Sequence, residues 1–228
     1  MSTAVPGQPP GDDSPAHPDE VLVPEGRAHR RMALLVQAAA SALLGEAAQV
    51  EGNLNWYPRD GGSPVAPDVM VLPAGTLEPQ ATSYQQADGQ PFPSVVVEIP
   101  SASDGYPDFV GKLRRYQALG TVVYVFVVHD GALDATRFAP GDDEPVRWLG
   151  RPCPELGGLV VKVDDDRLVV WLPTGGITVG SEPELTAALR DQAERAAARA
   201  ATAEDRAATA EAEAERLRRL LASHGIDA

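Results

Sequence analysis

Two apolar runs, Val95-Val96-Val97 and Val122 to Val128, leave this chain few ways to fold. Near-continuous valine without polar alternation marks strands covered on both faces. The longer run falls far short of the roughly 20 residues that a membrane-spanning helix needs, so it reads as a buried strand. Between the runs, Phe109, Leu113, Tyr116, Gln117 and Leu119 recur at helical spacing, predicting a helix from about Pro107 to Leu119 with Gly120 as its stop. Strand, helix, strand is a crossover within one sheet, and the expected class is α/β.

The flanking segments extend this plan. Met1 to Glu20 is rich in Pro, Gly, Asp and Ser with almost nothing to pack, so residues 1–20 are expected to be disordered. From Gly26 to Leu44, Met32, Leu35, Val36, Ala39, Leu43 and Leu44 trace one apolar helix face, and Gly45 suits the stop. Strands are predicted at Gln49 to Tyr57, Asp68 to Leu72, Ser94 to Ile99, Ala132 to Phe138, Leu159 to Val163 and Leu168 to Leu172, with turn material at Arg59 to Pro64 and at Asp164-Asp165-Asp166. This places a folded domain over residues 21–180.

Residues 181–228 are different in kind. Ser181 and Glu184 have the spacing of a capping box, and after Pro183 neither Gly nor Pro recurs until Gly225. With Leu189 at heptad position d, the d positions are Leu189, Ala196, Ala203, Ala210 and Leu217, and the a positions are Ala193, Ala200, Ala207, Ala214 and Leu221. All are apolar, which predicts a coiled-coil helix and a homo-oligomer formed through it. A solitary alanine helix is the other reading, because alanine has the highest helix propensity and fills many registers here.

Composition limits the chemistry. A single cysteine, Cys153, forms no internal disulfide, and the first residues lack the order of a signal peptide, so a reducing cytoplasm and no membrane partner are expected. The net charge of −14 opposes a simple nucleic-acid binder, since such affinity comes mostly from basic residues. Lys112, Arg114 and Arg115 form one local basic stretch, open to reading as a contact surface or as a solvated helix face. No zinc spacing, G-x-S-x-G elbow or acceptable phosphate loop is present; Gly105 to Gly111-Lys112 has the wrong spacing, and Leu113 stands where Ser or Thr is required.

What remains is a pair of acids with a lysine. Asp68 follows Pro67 at the start of a strand, and Glu98 closes the Val95-Val96-Val97 run. A carboxylate buried there must be hydrogen-bonded, paired or metal-bound; the alternatives are a turn-forming Asp and a Glu that has reached an exposed strand end. Together, Pro67-Asp68, the stretch Val96-Val97-Glu98-Ile99-Pro100-Ser101-Ala102-Ser103, Asp108 four residues before Lys112, Tyr116 four after it, and Gly120 to Tyr124 resemble the signature of the Uma-two family. This is a restriction-endonuclease-like branch of the PD-(D/E)XK nuclease superfamily. The likeness runs from about Glu25 to Leu172. Around Tyr124 the chain departs from the family pattern: Val123, Val125 and Val128 stand where an acid, a Trp and a following Asp are usual, and Asp130 comes two positions late.

The resemblance implies a PD-(D/E)XK nuclease-like central sheet flanked by helices, and an endonuclease that hydrolyses DNA with Mg²⁺, or Mn²⁺ in its place. It assigns Asp68 and Glu98 as metal ligands and Lys112 as the catalytic lysine, carried on the helix because Pro100 occupies its usual place. His29 matches a family histidine, with a surface or satisfied histidine as the alternative. Asp108 either orients Lys112 from one turn away or forms an exposed pair with it, and Tyr116 is a further supporting candidate. The competing function is a catalytically inactive nuclease-like protein that binds or scaffolds through its coiled coil.

Overall fold

A computed structural model describes residues 27–78, 81–87, 89–100, 106–129, 132–164 and 167–223. The expectations for residues 1–20, for Ser101 to Ser103 and for the middle of the Asp164-Asp165-Asp166 turn lie outside the described residues. The chain divides into two compact units, one ending at Ser181 and one beginning at Glu182.

In the first unit, helix α1 (Arg27–Leu44) leads into β1 (Ala48–Gly52) and β2 (Asn55–Tyr57). Next come β3 (Val69–Pro73), β4 (Ser83–Gln85), β5 (Val95–Glu98), α2 (Tyr106–Ala118), β6 (Val122–His129) and β7 (Ala132–Phe138). The short β8 (Val146–Arg147) and β9 (Pro152–Cys153) precede β10 (Leu159–Asp164), β11 (Arg167–Leu172) and β12 (Ile177–Val179). A 3-10 turn, Pro154–Leu156, sits between β9 and β10. The second unit is one helix, α3 (Glu182–Ser223).

The fold is mixed α/β. A six-stranded sheet has the order β1-β3-β5-β6-β7-β8. Its β5 and β6 run parallel, joined through α2 as the crossover requires, while its other neighbours are antiparallel. A second, antiparallel sheet runs β12-β11-β10-β9, and β2 forms a separate parallel pair with β4 while its Trp56 bridges to Val65. Helix α1 packs on β1 and β3 and also against β10 and β11, so it bridges the two sheets.

The strands at the centre bury both faces, as their unbroken apolar composition predicts: Val95, Val96 and Val97 are fully buried, and so are Val123 and Tyr124. Each such side chain contributes about 1.5–3 kcal/mol relative to remaining exposed. On the α2 face, Leu113, Tyr116 and Leu119 pack with Trp56, Met70, Val96, Val123, Val125 and Phe138. Gly120 ends α2 with a φ of 84°, a left-handed conformation that a side chain would strain.

One expected strand, Gln49 to Tyr57, is broken in two. Asn53 adopts a φ of 50°, which its short polar side chain tolerates, and the chain turns there before β2 pairs elsewhere. Among the described residues no helix is long and apolar enough to cross a membrane.

Candidate active site

Strand register brings the two acids together. In the antiparallel β3–β5 pair, Val69 lies opposite Val97, and Met70 lies opposite Val96. One step further outward sets Asp68 opposite Glu98, where side chains of facing residues are neighbours on one face. Both are buried, at 4% and 5% exposure, despite standing at strand ends. The exposed-end reading of Glu98 is therefore excluded.

Every oxygen of this pair accepts a hydrogen bond. For Asp68, His29 Nε2 lies 2.8 Å from Oδ1, and the Ile99 backbone N–H donates to Oδ2 at 2.7 Å. For Glu98, Lys112 Nζ donates to Oε2 at 2.6 Å and the Tyr116 hydroxyl donates to Oε1 at 2.8 Å. Lys112 and Tyr116 stand one turn apart on α2, so i, i+4 spacing alone directs both at the end of β5. His29, in the first turns of α1, is 8% exposed, which removes the surface reading; its Nδ1 is buried with no partner among the described residues.

Asp68, Glu98, Lys112, His29 and Tyr116 thus form one cluster. The backbone of Asp108 belongs to α2, but its side chain lies outside the described residues.

The electrostatics are unequal. Burial pushes the Glu98 carboxyl above the ordinary range, the Lys112 charge pulls it down, and the nearby Asp68 carboxylate pushes it up again. Burial, followed by the Glu98 charge, also holds the Tyr116 hydroxyl well above its usual value, so Tyr116 stays a donor.

Sequence reasoning missed the support beneath Tyr116. Trp56 stacks on its ring at 6.2 Å with planes 9° apart, and Trp56 Nε1 donates to Gln86 Oε1 at 3.3 Å. No local signal connects a β2 tryptophan with an α2 tyrosine sixty residues later. The Ile99 N–H was equally invisible, because its bond to Asp68 joins residues 31 apart in the chain.

The donor set suits a hard divalent cation. Among the described residues, no group of three or more His, Cys, Asp or Glu side chains is gathered for a metal, and the acids of this cluster are Asp68 and Glu98. One or two carboxylates, completed by water and substrate phosphate, is the usual provision for Mg²⁺. The hydrogen bonds from His29 and the Ile99 N–H fix the orientation of the Asp68 carboxylate, as they would for a ligand to such an ion.

Comparison with known proteins places this site in context. No protein of curated function matches the chain. Among solved structures that match is "Crystal structure of a putative nuclease belonging to DUF820 from Anabaena variabilis ATCC 29413". It is 14% identical, covers 58% of this chain and 73% of its own, and has a TM-score of 0.44. At that level of likeness, the description of the fold rests on this chain's own strand order. The pattern of the Uma2 family, described as "Putative restriction endonuclease", matches residues 11–145, more than half of the sequence and the whole of the acid–lysine cluster. The chain belongs to the Uma2 family.

Proposed function

We propose that this protein is a Mg²⁺-dependent endonuclease that hydrolyses DNA phosphodiester bonds, with Mn²⁺ as an alternative ion. The observation that carries this reading is the juxtaposition of Asp68 and Glu98 with Lys112 on the same carboxylate. The description of the Uma2 family supports the same class of reaction.

Asp68 and Glu98 would hold the ion. Bound there, Mg²⁺ would supply Lewis-acid polarisation of the phosphate and a more acidic water. The chain's own residues do the positioning: His29 and the Ile99 N–H fix the Asp68 carboxylate, and Tyr116, braced by Trp56, fixes that of Glu98. Lys112 presents a cation beside the pair, where it can offset negative charge developing on the phosphate oxygens.

A second reading, a nuclease-like domain that binds or scaffolds without cutting, is favoured by one observation. All four carboxylate oxygens already have internal donors, so the two acids are satisfied as they stand.

Incubating the purified protein with plasmid and with single-stranded DNA, in Mg²⁺, Mn²⁺ or EDTA, separates the two. The enzyme reading expects cutting that requires the divalent ion. Neither cutting nor thermal stabilisation by either ion would establish the binding reading instead.

A further inference from the structure

Helix α3 presents an apolar seam that its own unit leaves uncovered. At 1.5 Å per residue its 42 residues extend about 63 Å. Ala193, Ala196, Ala200, Ala203, Ala207 and Ala210 are all exposed, and Leu217 is 50% exposed. Such a stripe does not by itself name a partner. The charges beside it do.

In the heptad frame with Leu189 at d, the g positions include Arg199, Arg206 and Glu213, and the e positions include Glu204, Glu211 and Arg218. In a parallel, in-register pair of helices, a g residue lies beside the e residue five positions later on its neighbour, and these contacts set orientation. The contacts are then Arg199 with Glu204, Arg206 with Glu211, and Glu213 with Arg218, each formed twice by symmetry. Every one is attractive.

The antiparallel arrangement that keeps all ten seam residues in layers sets Leu189 opposite Leu221. There, g meets g and e meets e. Arg199 would meet Glu213, but Glu204 would face its own copy, Arg206 would face its own copy, and Arg190 would face Arg218. Repulsive contacts outnumber attractive ones.

The ion pairs within the helix sort the same way. Four of its outer charges satisfy each other closely, Asp191 with Arg195 at 2.5 Å and Glu215 with Arg219 at 3.1 Å. Glu213 and Arg218 have looser contacts, at 3.7 Å to Arg216 and to Glu215. Arg199, Glu204, Arg206 and Glu211 have no ion-pair partner among the described residues. These four flank the seam; of the outer charges, Glu194 and Asp205 likewise have no ion-pair partner among the described residues.

We propose that α3 is the interface for a second copy of this chain, forming a parallel, in-register two-stranded coiled coil. The same sequence supplies both halves of each flanking pair, so the surface is complementary to itself. A parallel coil tethers both copies of the first unit to the same end of the paired helices, since each chain enters α3 at Glu182. Two copies of the Asp68–Glu98 site then share one particle, which suits cutting at two positions. That consequence rests on the nuclease reading; the coiled coil does not.

Three measurements on the full chain test it. Analytical ultracentrifugation across micromolar concentrations should find a dimer. Arg199→Glu with Arg206→Glu should weaken the dimer at least about tenfold, and adding Glu204→Arg with Glu211→Arg should restore it. Helix propensity alone predicts no such rescue.

Orientation is read from Ala193→Cys, which meets its own copy in a parallel coil and should cross-link symmetrically on oxidation. In the antiparallel coil it would lie beside Leu217, about 36 Å from its own copy. The native Cys153 is buried, with its thiol pushed up to about 12 by that burial, so the unaltered chain should stay uncross-linked. A monomer, a higher oligomer, a dimer indifferent to the charge swap, or a dimer that cross-links only when Ala193→Cys is mixed with Leu217→Cys would each overturn the proposal. Cleavage is not part of any readout, so failure of the nuclease reading leaves the test intact.

Discussion

Two glutamates in this fold receive the same kinds of donor and end with opposite acid strengths. Glu98 accepts from Lys112 at 2.6 Å and from the Tyr116 hydroxyl at 2.8 Å. Glu155, in the 3-10 turn after β9, accepts from Arg137 and from the Tyr124 hydroxyl, both at 2.5 Å. They lie on opposite faces of the large sheet: Glu98 pairs with Val125 and Val97 pairs with Tyr124, and alternate strand residues point opposite ways.

The Glu98 carboxyl is raised, first by burial and then by Asp68 beside it. For Glu155 burial also pushes upward, but the bonds from Arg137 and Tyr124 outweigh it and hold the carboxyl below its usual range. The side chain of Glu98 is 6% exposed and that of Glu155 is 27% exposed. Burial remains the largest single influence on Glu155, but the combined bonds from Arg137 and Tyr124 exceed it, whereas at Glu98 the Asp68 charge adds to burial. Glu155 is a structural tie, linking its turn to β6 and β7. Glu98 is an acid held where burial and a neighbouring carboxylate both oppose its charge, as the function proposed for it would require.

The largest expected effect separates the two by activity. Glu98→Gln or Asp68→Asn should reduce metal-dependent plasmid cleavage by at least about 100-fold, because each removes an anionic oxygen from the position proposed for the ion. Glu155→Gln should leave the rate within about twofold while preserving that site. An equal loss from Glu155→Gln would abolish the distinction.

Stability should reverse the ranking. Arg137→Met removes the guanidinium from Glu155 and from the face of Trp148, which it approaches at 5.6 Å. Denaturant titration should show a loss of about 1–2 kcal/mol, discounted for partial exposure, with cleavage unchanged.

Opposite acid shifts imply opposite pH slopes. The folded Glu155 carboxyl is depressed, so it contributes stability above the unfolded value of about 4.3, and that contribution is lost as pH falls through the lower folded value. Glu155→Gln should flatten this acid limb. Glu98 is raised, so in EDTA it binds its proton more tightly when folded and its contribution declines as pH rises from the ordinary carboxylate range through the raised value. Melts of wild type and Glu98→Gln across that interval should diverge with rising pH, in favour of the variant. A wild type that gained on Glu98→Gln instead would reverse the sign assigned to Glu98.

The smallest effects come from the two hydroxyls. Tyr116→Phe and Tyr124→Phe should each cost about 1 kcal/mol in thermal melts, since each removes one hydrogen bond and keeps the ring. Tyr116→Phe alone should also weaken stabilisation by Mg²⁺ severalfold, because Tyr116 orients Glu98. Matching Mg²⁺ titrations for the two variants would remove Tyr116 from the site.

Legibility followed the range of the interactions. The i, i+4 relation of Lys112 and Tyr116, the Val-rich strands and the Gly120 stop are local, and each could be read along the chain. Strands of two or three residues, β8, β9 and β12, carry too few positions for any alternation to register. The split at Asn53 was hidden because one left-handed residue leaves the apolar pattern around it intact.

The sequence by itself determined the α/β class, the helical tail with its heptad frame, and which side chains had chemistry to offer, because propensity and periodicity act within a few residues. Tertiary structure alone decided that Asp68 stands opposite Glu98, since the β3–β5 register is a choice among distant pairings that no local pattern encodes. It also brought His29 to Asp68 across 39 residues and Arg137 to Glu155 across 18. The same chain therefore holds two nearly identical donor sets around two glutamates. Burial and the Asp68 charge make Glu98 reluctant to ionise, while at Glu155 the bonds from Arg137 and Tyr124 outweigh burial, and both balances exist only once the sheets have packed.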